Sequence, residues 1–155
     1  MRKWIKGLLL GCAMVAAIGT AEAATRGGKM VYARYADSLW LDPVFNDANV
    51  DIWILTNLYD TLLQPTADGK GVSPGLATGY EVSDDGLTFT LTLRQGTKFS
   101  DGSPITAEDV KGSLDRARNP KNGIWAFIID SIDSVEVKAP DKVVLHLKHR
   151  TAVIC

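Results

Sequence analysis

Apolar and polar side chains alternate without interruption over residues 87–94. This period of two is typical of a strand with one buried and one solvated face. Residues 80–83 and the turn-forming residues 84–86 complete a predicted hairpin. Residues 132–138 and 143–148 repeat the arrangement across a short turn, so the pattern predicts a second hairpin.

Two further segments have the spacing of an amphipathic helix. Apolar residues recur at this spacing after Asp47, which can act as an N-cap, and we expect a helix as far as about Leu63. Thr106 and Asp109 have the spacing of a capping box, which predicts that a second helix begins there. That helix is expected to end before Asn119, which precedes a proline.

The rest of the pattern predicts one more strand and several loops. Residues 29–35 carry β-forming side chains on both faces, which favours a mostly buried strand. Residues 38–43 form a connecting segment that ends at a proline, and residues 64–76 are turn-rich without periodicity. The short apolar run at residues 124–129 is compatible with a helix. Together these elements indicate a mixed α/β fold.

The first 23 residues have the three-part organisation of a secretory signal peptide. A basic start is followed by an apolar stretch, residues 8–18, and then by small residues that predict cleavage after Ala23. That stretch falls well short of the roughly 20 residues that cross a bilayer, which disfavours a membrane anchor. Cys12 ends a segment that resembles a lipobox, so a lipid anchor on Cys12 is the alternative. Soluble export is favoured, because lipidation would leave the apolar residues 13–18 in the mature protein.

Composition excludes two classes of protein. Of the 155 residues, 46% are hydrophobic, enough for burial to offset the entropy of ordering, so the chain is not intrinsically disordered. Its 17 Lys and Arg are balanced by 18 Asp and Glu, and removing the first 23 residues leaves 14 and 17. This lack of a basic excess argues against a nucleic-acid binder. Cys12 and Cys155 are the only cysteines, so the exported chain has neither an internal disulfide nor a cysteine-based metal site.

The sequence shows no pattern that supports catalysis or metal binding. His146 and His149 lack a nearby third ligand, which favours solvated histidines. The aspartates within residues 37–51 lack the spacing of a calcium loop, and we expect them to be caps or solvated positions. No serine lies in a nucleophile elbow. Trp40 and Trp125 lie in connecting segments and are the aromatic residues with an expected surface role.

Several long motifs follow one another at regular intervals, at residues 57–63, 74–77, 80–89, 91–102 and 105–110. The series closely resembles the N-terminal part of the bacterial extracellular solute-binding proteins of family 5. The match extends over about residues 31–147.

The resemblance implies a partial N-terminal lobe, mixed α/β in class, of a two-lobed periplasmic binding protein of the peptide-binding type. Such a protein is not an enzyme: it binds a peptide or other small solute between its lobes and delivers it to an ABC permease in the inner membrane. We expect a monomer with no cofactor. The solute stays open among dipeptides, oligopeptides, nickel chelates and sugar-like ligands.

The segment after the first strand commonly faces the ligand in this family. The predicted substrate-binding residues are therefore Asp37, Ser38, Leu39 and Trp40. A packed loop is the alternative interpretation of these four residues.

Family members are several times longer, so residues 24–148 are predicted to cover part of one lobe and to bind solute weakly or not at all. Residues 149–155 depart from the family pattern, which we interpret as truncation or a shifted reading frame. The alternative function is a small exported envelope or interaction domain with no role in transport.

Overall fold

The computed structural model describes residues 27–121 and 123–151 and divides into two units with a boundary after Arg34. The described part of the first unit, residues 27–34, contains neither helix nor strand. Across the described parts of the chain, no helix has both the length and the hydropathy needed to cross a bilayer. The predicted signal peptide, with its alternative lipidation site Cys12, lies outside the described residues, as do residues 152–155.

The second unit contains, in chain order, α1 (Asn49–Leu58), β1 (Leu63–Pro65), β2 (Val72–Pro74), β3 (Ala77–Val82), β4 (Thr88–Leu93), α2 (Ala107–Ala117), β5 (Ile132–Ala139) and β6 (Lys142–Leu147). Strands β1 and β2 pair in antiparallel fashion as a small sheet. The other four strands form an antiparallel sheet of order β3-β4-β6-β5. The last described strand in sequence therefore lies inside the sheet, between β4 and β5.

Both hairpins predicted from the alternating pattern are confirmed, as β3–β4 and β5–β6. In the β3–β4 turn, Gly86 has a φ of 68°, a left-handed conformation that glycine adopts without steric cost. The Asp85 carboxylate accepts the Leu87 N–H at 2.9 Å in the same turn. Along β4 the alternate apolar residues are buried and the threonines between them are half-buried.

The hydrophobic core lies between one face of the four-stranded sheet and α2, which contributes Ala107 and Val110. Helix α2 begins with the predicted capping box. The Thr106 hydroxyl accepts the Asp109 N–H, and the Asp109 carboxylate accepts the Thr106 N–H at 2.8 Å. The helix ends before Asn119, as expected.

Helix α1 is shorter than predicted and is not capped by Asp47. Its N-cap is Ala48, and no side chain caps it. The helix ends at Leu58 because the chain turns into β1, where the following apolar residues join a strand. The large apolar side chains that α1 and its C-terminal flank expose are Ile52, Trp53, Leu58 and Tyr59.

The prediction that residues 64–76 are turn-rich is confirmed but incomplete, because their turn residues close the β1–β2 hairpin. Two other predictions are wrong. Residues 124–129 form turns, since so short a run does not sustain a helix by itself. Residues 29–35 form no strand, and Met30 and Val31 are exposed. A strand needs a partner for its backbone groups, and none of the pairings among the described strands includes residues 29–35.

Residues 149–151 of the predicted atypical tail are described, and Arg150 contacts the β3–β4 turn. Its Nε donates a hydrogen bond to the Asp85 carbonyl oxygen at 2.5 Å, and its Nη2 donates to that of Asp84 at 3.3 Å. This contact joins the segment after β6 to the turn of the β3–β4 hairpin in the same sheet.

Candidate functional site

Residues 37–47, which we call the connector, lead into α1 without forming a helix or strand. Their backbone polar groups therefore lack the partners that regular structure provides. Side chains from α1, from α2 and from the loop after α2 hold the connector at successive points.

Asp51 holds the start of the connector. It lies in the first turn of α1 and is 0% exposed. Its Oδ1 and Oδ2 accept the Leu39 N–H at 3.2 and 3.3 Å, and Oδ2 accepts the Trp40 N–H at 3.3 Å. N–H donors and the positive end of the helix dipole stabilise a carboxylate that is removed from water.

The middle of the connector is held by α2 and by the residue after α1. Arg116 donates from Nη1 to Asp42 Oδ1 at 3.0 Å and from Nη2 to Asp42 Oδ2. Its guanidinium carbon lies 5.4 Å from the centre of the Phe45 ring. The Arg116 hydrogen bonds lower the pKa of Asp42 and raise that of Arg116, so both are charged at neutral pH. The Tyr59 hydroxyl donates to the Leu41 carbonyl oxygen at 3.0 Å.

The end of the connector contacts the loop after α2. Trp125 donates its indole N–H to the Asn46 carbonyl oxygen, and the Ile124 N–H donates to the Val44 carbonyl oxygen at 3.2 Å. Asn46 is buried, and its Oδ1 accepts the Ala48 N–H at 3.1 Å. Trp125 is thus partly exposed, as predicted, but its indole nitrogen is committed to the connector.

The four predicted substrate-binding residues lie together at the start of the connector. Leu39 and Trp40 are 71% and 57% exposed, Asp37 is exposed, and Ser38 is half-buried. A fixed backbone therefore presents an apolar and aromatic surface next to a carboxylate. Such a surface is suited to apolar packing and to pairing with an ammonium group. That these residues contact a solute stays a prediction.

Sequence reasoning missed Asp51, which was grouped with the caps and solvated positions. The structure corrects this, because Asp51 is buried and Asp42 is ion-paired. The sequence carries only a weak signal for this role. Asp51 precedes Leu55 by one helical turn, so both lie on the same face of the helix. Because apolar residues surround much of α1, the sequence does not mark that face as the buried one.

Other features outside the connector are less suited to a site. A cavity of about 530 Å³ lies between the end of α1, residues 98–105 and α2, with Leu76 and Phe99 among its apolar lining. No group of three or more metal-ligating side chains occurs within residues 27–121 and 123–151. His146 Nε2 lies 2.9 Å from Glu136 Oε2 in a partly exposed pair on neighbouring strands.

A family model and several curated proteins match the chain. The model, described as "Bacterial extracellular solute-binding proteins, family 5 Middle", matches residues 71–154, more than half of the chain. The glutathione-binding protein GsiB of Salmonella typhi is 37% identical over 147 residues, which are 94% of this chain and 28% of the relative. The probable D,D-dipeptide-binding periplasmic protein DdpA of Escherichia coli K12 is 37% identical over 139 residues, 86% of this chain and 26% of the relative. The chain thus spans little more than a quarter of the length of these two relatives.

Solved structures match the fold of this chain over a similar fraction of their own length. The PBP AgaA of A. tumefaciens R10, in complex with agropinic acid, has a TM-score of 0.71 and 34% identity, covering 76% of this chain and 24% of its own. NikA of Brucella suis, in complex with Fe(III)-EDTA, has a TM-score of 0.63 and 34% identity, covering 70% and 22%. The predicted fold class, a mixed α/β part of a binding-protein lobe, is confirmed.

Proposed function

Because the chain belongs to family 5 of the bacterial extracellular solute-binding proteins, we propose that it forms part of the substrate-binding component of an ABC importer for peptides. The observation that carries the proposal is the family match together with the two relatives. One relative is described as glutathione-binding and the other as D,D-dipeptide-binding. Glutathione is itself a tripeptide, so both names point to short peptides.

In this proposal the peptide binds between two lobes and is released to a membrane permease when the lobes open. Closure buries the solute and supplies affinity, while opening removes half of the contacts. Residues 24–148 contribute one wall of the cleft, as part of the N-terminal lobe. A quarter of the relatives' length supplies few of the contacts, which is why the chain by itself is expected to bind peptides weakly.

The ligand-facing part of this wall is the start of the connector. Asp37 is placed to pair with an ammonium group of the peptide, and Ser38 to hydrogen-bond to it. Leu39 and Trp40 are placed to pack against its apolar parts. The exposure of Asp37, Leu39 and Trp40 supports this assignment, and so does the firm attachment of the backbone behind Leu39 and Trp40.

The proposal includes export to the periplasm after cleavage of residues 1–23. A relative described as periplasmic supports this location. The protein acts as a monomer, by binding and conformational change, without catalysis, a cofactor or nucleic acid.

A chimera tests the proposed function. The 147 matching residues of the Salmonella typhi glutathione-binding protein are replaced by those of this chain, and reduced glutathione and a panel of dipeptides are titrated calorimetrically. We expect saturable binding of at least one of these peptides. Trp40→Ala should weaken it by about tenfold, as expected for a central aromatic contact. Trp53→Ala, which removes an equally exposed tryptophan on α1, is the matched control and should have little effect.

Near-UV circular dichroism and a cooperative thermal melt establish that the chimera is folded. A folded chimera that binds none of these peptides contradicts the proposal. If the 155-residue chain by itself binds no hydrophobic dye, and so exposes no apolar surface for a missing part of the lobe to cover, the small exported interaction domain is favoured instead.

A further inference from the structure

The environment of Asp51 is unusual for an aspartate. The side chain is 0% exposed, although carboxylates are almost never fully buried without partners. Both of its oxygens accept backbone N–H groups of residues 11 and 12 positions earlier in the chain. Asp51 therefore connects a rigid element, the first turn of α1, to a segment without regular structure.

These hydrogen bonds are hard to replace. An N–H bonded to a carboxylate forms a stronger bond than one to a neutral acceptor. If the carboxylate is removed, the N–H groups of Leu39 and Trp40 lose their acceptor, and these parts of the connector gain by moving into water. The hydrophobic core lies elsewhere, on the four-stranded sheet and α2, so such a movement does not require the protein to unfold.

The backbone and the side chains of Leu39 and Trp40 have different surroundings. The N–H groups of Leu39 and Trp40 are bonded to Asp51, while their side chains are largely exposed. A peptide that met these side chains would find the segment already ordered. It would then bind without the entropy loss of ordering a loop.

We propose that Asp51 is a positioning residue for solute binding, which acts through the backbone N–H groups of Leu39 and Trp40 and contacts no solute itself. This inference rests on the proposed function, in which the start of the connector faces the peptide. The connector is preorganised by Asp51, and its side chains determine what is bound.

Amide hydrogen exchange of the full chain, measured by NMR, tests the positioning directly and needs no ligand. Asp51→Ala should raise the exchange rates at Leu39 and Trp40 by about tenfold or more, while amides in β4 and β6 keep their protection. Asp51→Asn retains one oxygen acceptor and should give an intermediate increase. Asp47→Asn makes the same chemical change at an exposed connector position that caps no helix, and should change neither rate.

Unchanged exchange at Leu39 and Trp40 in both Asp51 variants overturns the inference. If Asp51→Ala fails to fold, as a loss of protection in β4 and β6 would reveal, the milder Asp51→Asn decides the question in the same way.

The same substitutions in the chimera test the consequence for binding. With reduced glutathione as the probe, or a dipeptide of the panel if only that binds, Asp51→Ala should weaken affinity by several-fold and Asp51→Asn by a smaller factor, and Asp47→Asn should not weaken it. Faster exchange without loss of affinity overturns the positioning role but leaves the proposed function standing. A folded, unsubstituted chimera that binds no peptide contradicts the proposed function itself, and the positioning role falls with it.

Discussion

Arg116 and Asp42 lie 74 positions apart in the sequence and form a two-point ion pair that joins α2 to the connector. Both side chains are partly exposed, and exposed ion pairs contribute little to the free energy of unfolding. The planar guanidinium instead fixes the direction of the Asp42 carboxylate. That carboxylate also accepts the Val44 N–H at 3.0 Å. The pair therefore determines the path of the connector more than the stability of the protein.

Replacing Arg116 should loosen the connector. Arg116→Ala and Arg116→Lys should both speed amide exchange at Val44 by several-fold, because lysine cannot form the two-point contact. The midpoint of thermal unfolding should change little. Lys111→Ala removes a different ion pair of α2, with Asp115, and should leave Val44 unaffected. Equal exchange rates at Val44 in the unsubstituted protein and in all three variants would rule out this role for Arg116.

The stability of the protein should fall in acid. Six aspartates have pKa values below the ordinary 3.8 because side-chain donors bond to their charged form: Asp42, Asp68, Asp85, Asp101, Asp109 and Asp115. A carboxyl group with a lowered folded-state pKa stabilises the protein above its unfolded-state pKa. This contribution is lost as the pH falls through the lowered value.

Urea unfolding between about pH 6 and about pH 2 measures this loss. The free energy of unfolding should stay level at first and then decline below the ordinary aspartate pKa. Asp109→Asn removes one of the titrating groups and should make the decline shallower. A free energy that rises toward low pH would contradict the assignment.

Thr106 should contribute measurably to the stability of α2. Thr106→Ala removes the hydroxyl that bonds to Asp109 in the capping box. Loss of such a cap costs about 1 kcal/mol of unfolding free energy. Thr106→Ser keeps the hydroxyl and should retain most of the stability. If chemical denaturation shows the two variants to be equally stable, the capping box is not what stabilises this helix end.

The two faces of β4 should respond differently to truncation. Leu91 is buried in the core between sheet and helix, and Leu91→Ala should cost about 2–5 kcal/mol. Thr90, the next residue, points to the opposite face and is half-buried, so Thr90→Ala should cost less than about 1 kcal/mol. Denaturant unfolding of the two variants compares these values directly. A reversed order would mean that the core lies on the other face.

Export should produce a protein that begins at Ala24. Expression of the full chain in a Gram-negative host, followed by mass spectrometry of the periplasmic fraction, measures the position of cleavage. Ala23→Leu places a large residue at the cleavage site and should block processing, whereas Ala17→Leu lies in the apolar stretch and should permit it. A lipid-modified product that begins at Cys12 would contradict soluble export.

The two hairpins of the four-stranded sheet and the start of α2 could be predicted from the sequence because their signals are local. The alternation over residues 87–94 and the Thr106–Asp109 spacing each lie within a few positions, and both features occur as expected. Helix α1 was harder, since apolar residues surround much of the helix and do not mark one buried face. Its end at Leu58 depends on the pairing of β1 with β2, which periodicity does not encode.

The sequence predicted the residues at the start of the connector but not the side chains that hold them in place. Motif resemblance pointed to Asp37, Ser38, Leu39 and Trp40, but the groups that hold this segment lie far from it in sequence. Asp51 bonds to backbone atoms, which leave no trace in the pattern of side chains. Arg116 meets Asp42 only after α2 has packed on the sheet. Such contacts follow from the tertiary fold and cannot be found before it is known.

The strand order has a consequence for how the protein is made. Since β6 lies between β4 and β5, the sheet cannot close until the chain has been synthesised as far as Leu147. Until then β4 has only β3 as a neighbour, and an isolated hairpin is marginally stable in water. A nascent chain of this kind stays loosely structured while it emerges from the ribosome, which is compatible with the proposed export, because an unfolded polypeptide can pass through a narrow secretion pore.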